Sequence, residues 1–289
     1  MQIKYFIISL RLHQFTKNMV VFAALIFAGH LFVIADVIRT TLLFLIFTLV
    51  SGSLYVINDI ADCEDDRAHP DKRNRPIAAG KLNTGFAAIS AVVLTGMAVA
   101  GAYLLNLLTG YIVSGYVLMT LLYSWMLKKI VIFDIITVAI GFVLRAVAGA
   151  LVVSVEISPW LLVCTFFLAL FLVIGKRRYE LHLLKDHAVE HRLSLMYYNM
   201  KLIDQMIGVV TAACIIAYAL YTLDSHTINK FGTSNLIYTI PLVVAGVFRY
   251  FYLIYKVGIG GSPEKIFIKD VFILLIVFLW ILTSVIIVY

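Results

Sequence analysis

Long apolar runs alternate with shorter polar connections along most of the chain, and this pattern predicts membrane-spanning helices. A helix needs about 20 predominantly apolar residues to cross the hydrocarbon core of a bilayer. Windows of that kind lie at roughly residues 18–35, 40–58, 84–105, 107–127, 131–153, 158–175, 202–223, 235–255 and 267–289. We therefore predict an all-α, polytopic integral membrane protein with nine transmembrane helices.

The composition supports this fold class, since 63% of the 289 residues are hydrophobic and only 13% are charged. The mean hydropathy of +1.01 is typical of a membrane protein. No repeat of fixed period and no low-complexity linker divides the chain, so we predict a single domain over residues 1–289. Cys63, Cys164 and Cys214 are odd in number and widely spread, which favours neither a disulfide framework nor a zinc site.

Most of the 23 Lys and Arg residues fall at the N-terminus or in alternate connections between the predicted spans. The exceptions are Arg39 and Lys230 in the other connections and Arg145 and Arg249 within spans. By the positive-inside rule, the N-terminus and the basic connections face the cytoplasm, with the protein in the cell inner (plasma) membrane. The net charge of +7 follows from this sidedness, so we expect a membrane partner and no nucleic acid.

A cluster of acids follows directly after the apolar run that ends at Ile57. At about 100° of rotation per residue, Asn58, Asp59, Asp62 and Asp66 share one arc of a helix. Carboxylates placed this closely repel one another unless a cation lies between them, and oxygen ligands suit Mg²⁺, which proteins hold together with substrate phosphates. These four residues therefore predict a magnesium–diphosphate site at the mouth of a membrane helix. The alternative is a solvated acidic loop between two spans.

The connection after the acids contains Arg73 and Arg75 close to this predicted metal site. Such cations can bind phosphate oxygens that the metal leaves uncovered. The alternative is the general positive-inside bias, combined with contact to anionic lipids.

Three more candidates follow the fourth span or lie within the fifth. Tyr123 and Lys128 flank the end of the fourth span, where Tyr123 is either a substrate contact or an aromatic of the interfacial belt. Arg145 lies within the fifth span, and Gly141 and Gly149 are each four residues away. Small residues at this spacing let a neighbouring helix approach around the guanidinium. An intramembrane Arg indicates a functional site, and the alternative is a structural pair with an acid.

The end of the sixth span is basic. Lys176 and Glu180 form a predicted i,i+4 pair, and Arg177 is adjacent. We predict that Lys176 and Arg177 face the same polar cavity as the acids, whereas Arg178 faces lipid phosphates. The alternative is that a helix C-terminus favours cations in any case.

Arg11, Gln14, Lys17 and Asn18 are spaced like one face of an amphipathic helix near the N-terminus. They either reach a lipid phosphate or anchor the chain at the membrane interface.

The pattern Asn58-Asp59-x-x-Asp62-x-x-x-Asp66, the nine-span layout and the Tyr123/Lys128 pair resemble the UbiA superfamily of membrane prenyltransferases. The resemblance covers nearly the whole chain. It implies nine helices around a central cytoplasm-facing cavity, Mg²⁺ as cofactor, and catalytic roles for Asp59, Asp62 and Asp66.

The chain departs from the usual family pattern at one motif, and this departure points to one branch of the family. Near the end of the sixth span the family usually has a second Asp-rich motif, whereas this chain has Lys176-Arg177-x-x-Glu180, with Asp186 further on. The combination is similar to the decaprenyl-phosphate phosphoribosyltransferase branch. That branch implies transfer of a 5-phosphoribosyl group from phosphoribosyl diphosphate to a polyprenyl phosphate, with loss of pyrophosphate, as a step toward cell-wall arabinan.

The charge balance is consistent with such a strongly anionic substrate pair, which needs more cations and fewer acids than a prenyl diphosphate and a neutral acceptor. The expected substrate-binding residues are Lys17, Asn58, Arg73, Arg75, Tyr123, Lys128, Arg145, Lys176, Arg177 and Glu180. One alternative is a prenyltransferase that moves a prenyl group to an aromatic or other acceptor. Another is a secondary transporter, suggested by Asp134, Arg145 and Arg249 within spans. The sequence allows a homo-oligomer without indicating one.

Overall fold

The computed structural model describes residues 2–68, 72–156, 158–183, 197–257 and 270–289, and all regular elements in these ranges are helical. The longer helices are α1 Gln2–Ser9, α2 Phe22–Phe27, α3 Ile34–Ala61, α4 Cys63–Ala68, α5 Thr84–Leu105, α6 Leu107–Trp125, α7 Phe133–Val152, α8 Pro159–Leu183, α9 Met200–Leu223, α10 Ser225–Phe231, α11 Ile240–Tyr252 and α12 Val271–Val288. Short 3₁₀ segments connect several of them, and a π-helical turn, Leu253–Val257, follows α11. The predicted all-α, polytopic fold class is confirmed.

Eight helices within the described ranges are long and apolar enough to cross a membrane. They correspond to eight of the nine predicted windows, and the prediction for the first window, 18–35, was wrong in detail. A shorter apolar stretch, Leu12–Phe27, replaces it and consists of a 3₁₀ segment followed by α2. Gly29, with φ of +78°, ends this stretch in a left-handed conformation that a residue with a side chain rarely adopts.

Contacts group the chain into two compact units. The first comprises Met1–Thr137 and Leu144–Glu156, and the second comprises Val138–Val143 and Ile157–Tyr289. The single domain over residues 1–289 stays a prediction.

The core of the first unit is built around α3. Phe47 and Val50 of α3 are fully buried against Ala98 of α5, Tyr116 of α6 and Ala148 of α7. Alanine at such positions lets helix backbones approach closely, which is how helices pack where lipid removes the usual hydrophobic driving force.

Two glycines fix the N-terminal segment against this core. A Cβ on Gly149 would overlap the backbone carbonyl of Val21, and a Cβ on Gly52 would lie 2.9 Å from the carbonyl oxygen of Leu10. The predicted close approach at Gly149 is confirmed, and the approaching partner is the 3₁₀ segment Leu12–Val21. Since Gly149 of α7 touches this segment and Gly52 of α3 touches Leu10 just before it, the polar side chains of the segment are held beside the polar end of α3.

In the second unit α8 packs along α9. Gly175 of α8 marks a further close approach, because a Cβ there would lie 2.8 Å from Ile254 and 3.1 Å from Tyr250. Phe171, one turn earlier on α8, packs against Tyr250 with ring centroids 5.0 Å apart and the two rings tilted by 56°. These contacts fix the polar end of α8 within its unit.

Candidate active site

The acids Asp59 and Asp66 are each only 2% exposed, and Arg75 joins them. The Arg75 Nη1 atom lies 3.1 Å from Asp59 Oδ1 and 2.5 Å from Asp66 Oδ2. Arg11 Nη2 lies 2.6 and 2.5 Å from the two carboxylate oxygens of Asp59. Buried carboxylates are tolerated only when they are paired and hydrogen-bonded, and two guanidinium groups meet that need here.

The stretch that carries these acids is interrupted between α3 and α4. The predicted single helical arc was wrong in this respect, because α3 ends at Ala61 and Asp62 is its C-terminal cap. Hydrogen bonds of i to i+4 spacing nevertheless continue across the break, from the Asp62 amide to the Asn58 carbonyl and from the Asp66 amide to the Asp62 carbonyl. The spacing therefore still brings Asp59 and Asp66 to one guanidinium group.

The turn after α4 holds Arg75. The Pro76 carbonyl accepts hydrogen bonds from the amides of Lys81 and Leu82, at 2.9 and 3.0 Å. Ile77 and Leu82, each 2% exposed, anchor the turn in an apolar cluster with Leu10. Arg75 thus projects from a fixed backbone toward the acids.

Arg11 reaches Asp59 from a strained backbone. Its φ and ψ of 50° and 46° are left-handed, which costs a non-glycine residue roughly 1–2 kcal/mol. Its guanidinium also lies over the ring of Tyr55, 5.4 Å from the centroid. Strain of this kind persists where the surrounding contacts over-determine it, and such residues cluster at functional sites.

Asn58 and Asp62 form a second, more exposed group with Lys128. The Asn58 amide donates to Asp62 at 2.9 Å, and Lys128 Nζ lies 2.6 Å from the other Asp62 oxygen and 3.5 Å from Asn58 Oδ1. Lys128 comes from the 3₁₀ turn Leu127–Lys129 that follows α6. The structure therefore brings Lys128, 66 residues further along the chain, onto the acidic stretch.

Arg145 is 5% exposed and donates hydrogen bonds to neutral groups. Its Nε lies 2.8 Å from Asn18 Oδ1, and its Nη2 lies 2.6 Å from the Tyr116 hydroxyl and 3.4 Å from Ser51. The guanidinium also faces the Tyr116 ring, 4.6 Å from its centroid. These neighbours fix the direction of the guanidinium inside the first unit.

In the second unit, Arg177 is 3% exposed and pairs with Glu180 at 2.6 Å. The predicted pair of Lys176 with Glu180 is present at 3.9 Å. The expectation that Arg178 faces lipid phosphates was wrong, because it binds Asp204 at 2.7 Å and lies 3.7 Å from the centroid of the Tyr255 ring. Asp186 lies outside the described residues.

The remaining predicted site residues, Lys17, Arg73 and Tyr123, are more exposed than the buried Arg145 and Arg177. Lys17 donates to Gln14 at 2.8 Å and lies over the ring of Tyr55. Arg73 is exposed on the short 3₁₀ helix Lys72–Asn74, and Tyr123 is partly exposed near the end of α6.

Residues 18–186, more than half of the chain, match the UbiA prenyltransferase family. The chain belongs to this family. A protein of Mycobacterium tuberculosis named decaprenyl-phosphate phosphoribosyltransferase is 32% identical over 281 residues, covering 95% of this chain and 91% of the relative. A Corynebacterium glutamicum protein of the same name is 31% identical over 288 residues, covering 97% and 86%.

A solved structure shares the fold. A UbiA homologue from Archaeoglobus fulgidus, determined bound to DMAPP and Mg²⁺, aligns with a TM-score of 0.74 at 19% identity, covering 98% of each chain. Family membership and fold together make this chain an integral, multi-pass membrane transferase of the UbiA family. The resemblance seen in the sequence is thereby confirmed.

Sequence reasoning missed the contact of Arg11 with an acid. It placed Arg11 on a polar face near the N-terminus, but Arg11 and Asp59 are 48 positions apart in the sequence, which hides their contact. Tyr55 and Tyr116 were also missed, since an aromatic within an apolar run looks like an ordinary core residue. A cation just before the first apolar stretch of a UbiA chain is the signal that could have suggested Arg11.

The acids were expected to gather around a metal ion, and the described residues contain no group of three or more His, Cys, Asp and Glu side chains that could hold one. Instead, cations lie against the carboxylates: Arg11 and Arg75 at Asp59, Arg75 at Asp66, and Lys128 at Asp62. The donor set itself is all oxygen and chemically suits Mg²⁺. A metal ion would take over contacts that guanidinium and ammonium groups make in this structure.

Proposed function

We propose that the protein transfers a 5-phosphoribosyl group from phosphoribosyl diphosphate to a polyprenyl (decaprenyl) phosphate and releases pyrophosphate. The observation that carries this proposal is the set of cations gathered at the acids of the first unit. Arg11, Arg75 and Lys128 contact the carboxylates of Asp59, Asp62 and Asp66, and Lys17 and Arg145 line a cavity together with Arg11. Two relatives named decaprenyl-phosphate phosphoribosyltransferase, alike over nearly the whole chain, support it.

The reaction exchanges one bond at the anomeric carbon. The C1–O bond to the diphosphate breaks and its electron pair leaves with pyrophosphate, while an oxygen of the lipid phosphate forms the new bond to C1. The attacking oxygen is already anionic, so no side chain has to remove a proton. The protein's contribution is to position the two anions and to stabilise the charge that builds on the leaving group.

The oxygen donors of Asn58, Asp59, Asp62 and Asp66 would hold Mg²⁺, which neutralises a diphosphate leaving group when bound. The Archaeoglobus fulgidus relative, determined with Mg²⁺, supports a divalent metal. Arg75 and Lys128, released from the carboxylates, would then donate hydrogen bonds to phosphate oxygens. The charge-assisted bonds that these cations make to carboxylates would be exchanged for similar bonds to substrate.

Other predicted substrate-binding residues keep their roles within this proposal: Arg73, Tyr123, Lys176, Arg177 and Glu180. We also place the N-terminus and the basic connections on the cytoplasmic side of the inner membrane, because the positive-inside rule favours that orientation.

Replacement of one buried acid tests the proposal. With Mg²⁺, decaprenyl phosphate and donor labelled in the ribose, the native protein should move label into the lipid phase, and Asp59→Asn should lose at least about 100-fold of that rate. Thermal unfolding should show that the variant remains folded. Near-native turnover by a folded Asp59→Asn protein would contradict the proposed role of this acid.

A further inference from the structure

A small cavity lies under the N-terminal segment of the first unit. It is lined by Leu10, Arg11, Leu12, Gln14, Phe15, Lys17, Asn18, Thr48, Ser51, Gly52, Tyr55 and Arg145. Three of these residues are cationic and none of them is acidic. A concave surface with this charge is suited to an anion, and Arg and Lys are the side chains that bind phosphate in proteins.

The lining is built from fixed groups. Asn18, 2% exposed, donates to Thr48 at 3.1 Å and accepts from Arg145 at 2.8 Å, which holds the guanidinium at the cavity. Lys17 and Arg11 both lie over the ring of Tyr55, 5.9 and 5.4 Å from its centroid. A site whose cations are already oriented loses less entropy when it binds an anion.

The same 3₁₀ segment also carries exposed apolar side chains. Leu12, Phe15 and Met19 are 41%, 44% and 49% exposed, and Leu12 and Phe15 also line the cavity. A segment that places cations beside exposed apolar side chains is suited to an amphiphile.

Arg11 connects the cavity to the acids, because it lines the cavity and its guanidinium binds both oxygens of Asp59. An anion in the cavity would therefore lie one side chain away from the acidic group.

We propose that this cavity binds the phosphate of the polyprenyl phosphate acceptor, with Lys17 and Arg145 as its cationic contacts and the lipid chain beside Leu12, Phe15 and Met19. The proposal rests on the proposed function and adds to it which phosphate goes where. Lys17 and Arg145 bind the acceptor, so the donor is left to the cations that contact the acids, Arg75 and Lys128.

The test is a binding measurement that needs no turnover. Full-length protein in lipid nanodiscs is titrated with a radiolabelled polyprenyl monophosphate in EDTA, without phosphoribosyl diphosphate. Loss of one charge-assisted contact should raise the Kd of Lys17→Gln about ten- to a hundredfold, whereas Lys17→Arg should stay within a fewfold of native. The matched control is Lys4→Gln, which removes one exposed charge on α1 and should bind as the native protein does.

Three outcomes would overturn the proposed lipid-phosphate site. A Kd that Lys17→Gln leaves unchanged, in protein that unfolds at the native temperature, overturns the proposal. An equal loss in Lys4→Gln also overturns it, because general charge at the membrane surface would then explain binding. If ribose 5-phosphate or inorganic phosphate binds in a Lys17-dependent way while the lipid does not, the cavity serves a soluble phosphate and the lipid assignment is wrong.

The measurement is independent of the reaction. A protein that binds polyprenyl phosphate through Lys17 but transfers no phosphoribosyl group would refute the proposed function and leave this site standing. The reverse result, transfer with a Lys17-independent lipid Kd, would refute the site alone.

Discussion

Asp59 is a buried carboxylate held by two guanidinium groups, and the balance of charge around it depends on both. Removal of one partner from a buried ion pair typically costs about 3–5 kcal/mol, because the remaining charge stays buried without compensation. Asp59 and Asp66 share Arg75, so the loss of Arg75 leaves two carboxylates close together. Such a pair either loses stability or binds another cation.

Arg75→Gln should therefore bind a divalent metal more tightly than the native protein does in the absence of substrate. The guanidinium that competes for Asp59 and Asp66 is gone, and their mutual repulsion favours a metal between them. Titration with Mn²⁺, followed by electron paramagnetic resonance, measures the affinity directly.

The control for Arg75→Gln is Arg39→Gln, which removes an exposed charge 3.9 Å from Asp36, away from the site. It should leave Mn²⁺ affinity unchanged. Equal or weaker Mn²⁺ binding by a folded Arg75→Gln protein would argue against Asp59 and Asp66 as metal ligands.

The elements around the site depend on close backbone approaches. The 3₁₀ segment Leu12–Val21 lies against α7 at Gly149, where any side chain would overlap the Val21 carbonyl. This contact keeps Asn18, and through it Arg145, at the cavity.

Gly149→Ala should destabilise the protein by about 1–3 kcal/mol, because an added methyl group forces backbones apart in a packed interior. Gly96→Ala on α5 is the matched control, since nothing lies within 4 Å of a Cβ there. It should be neutral or slightly stabilising, because alanine is the better helix former. Thermal unfolding in detergent compares them, and equal stability of the two variants would contradict the close approach.

The last helix, α12, is capped by Asp270, whose carboxylate accepts a hydrogen bond from the Ile273 amide at 2.9 Å. Hydrogen bonding from Arg249 holds the pKa of Asp270 below its ordinary value of 3.8, despite an opposing effect of desolvation. Because the folded pKa is the lower one, this stabilisation is fully present above the ordinary pKa. It is lost as pH falls through the folded pKa.

Asp270→Asn should consequently lower stability near neutral pH and remove part of the stability loss seen on acidification below about pH 4. Unfolding temperatures between pH 3 and 7 for native and variant protein measure this. If the two curves run parallel over the whole range, Asp270 does not contribute in this way.

At the scale of the whole molecule, the distribution of Lys and Arg predicts which ends of the helices face the cytoplasm. In a protein with its native cysteines replaced, Lys4→Cys should react with a membrane-impermeant thiol reagent only after the cells are opened. Lys230→Cys should react in intact spheroplasts. The same accessibility for both positions would refute the proposed orientation.

Much of this molecule could be predicted from its sequence, and the failures have physical reasons. The lengths of the apolar runs predicted the long helices, because a helix needs about 20 apolar residues to cross the hydrocarbon core of a bilayer. The sequence could not show that the first helical stretch ends at Gly29, within the first predicted window, or that Asp62 caps α3. Both depend on local backbone geometry. Pairing between distant residues, such as Arg11 with Asp59 or Arg178 with Asp204, leaves no local pattern.

The measurement that tests the central claim most directly is a donor competition with the purified protein. Labelled phosphoribosyl diphosphate with polyprenyl phosphate, and labelled prenyl diphosphate with aromatic acceptors, are supplied in parallel with Mg²⁺, and the products are identified by mass spectrometry. We predict a polyprenyl phosphate that gains one phosphoribosyl group, with pyrophosphate released in equal amount. A prenylated acceptor as the only product would contradict the account.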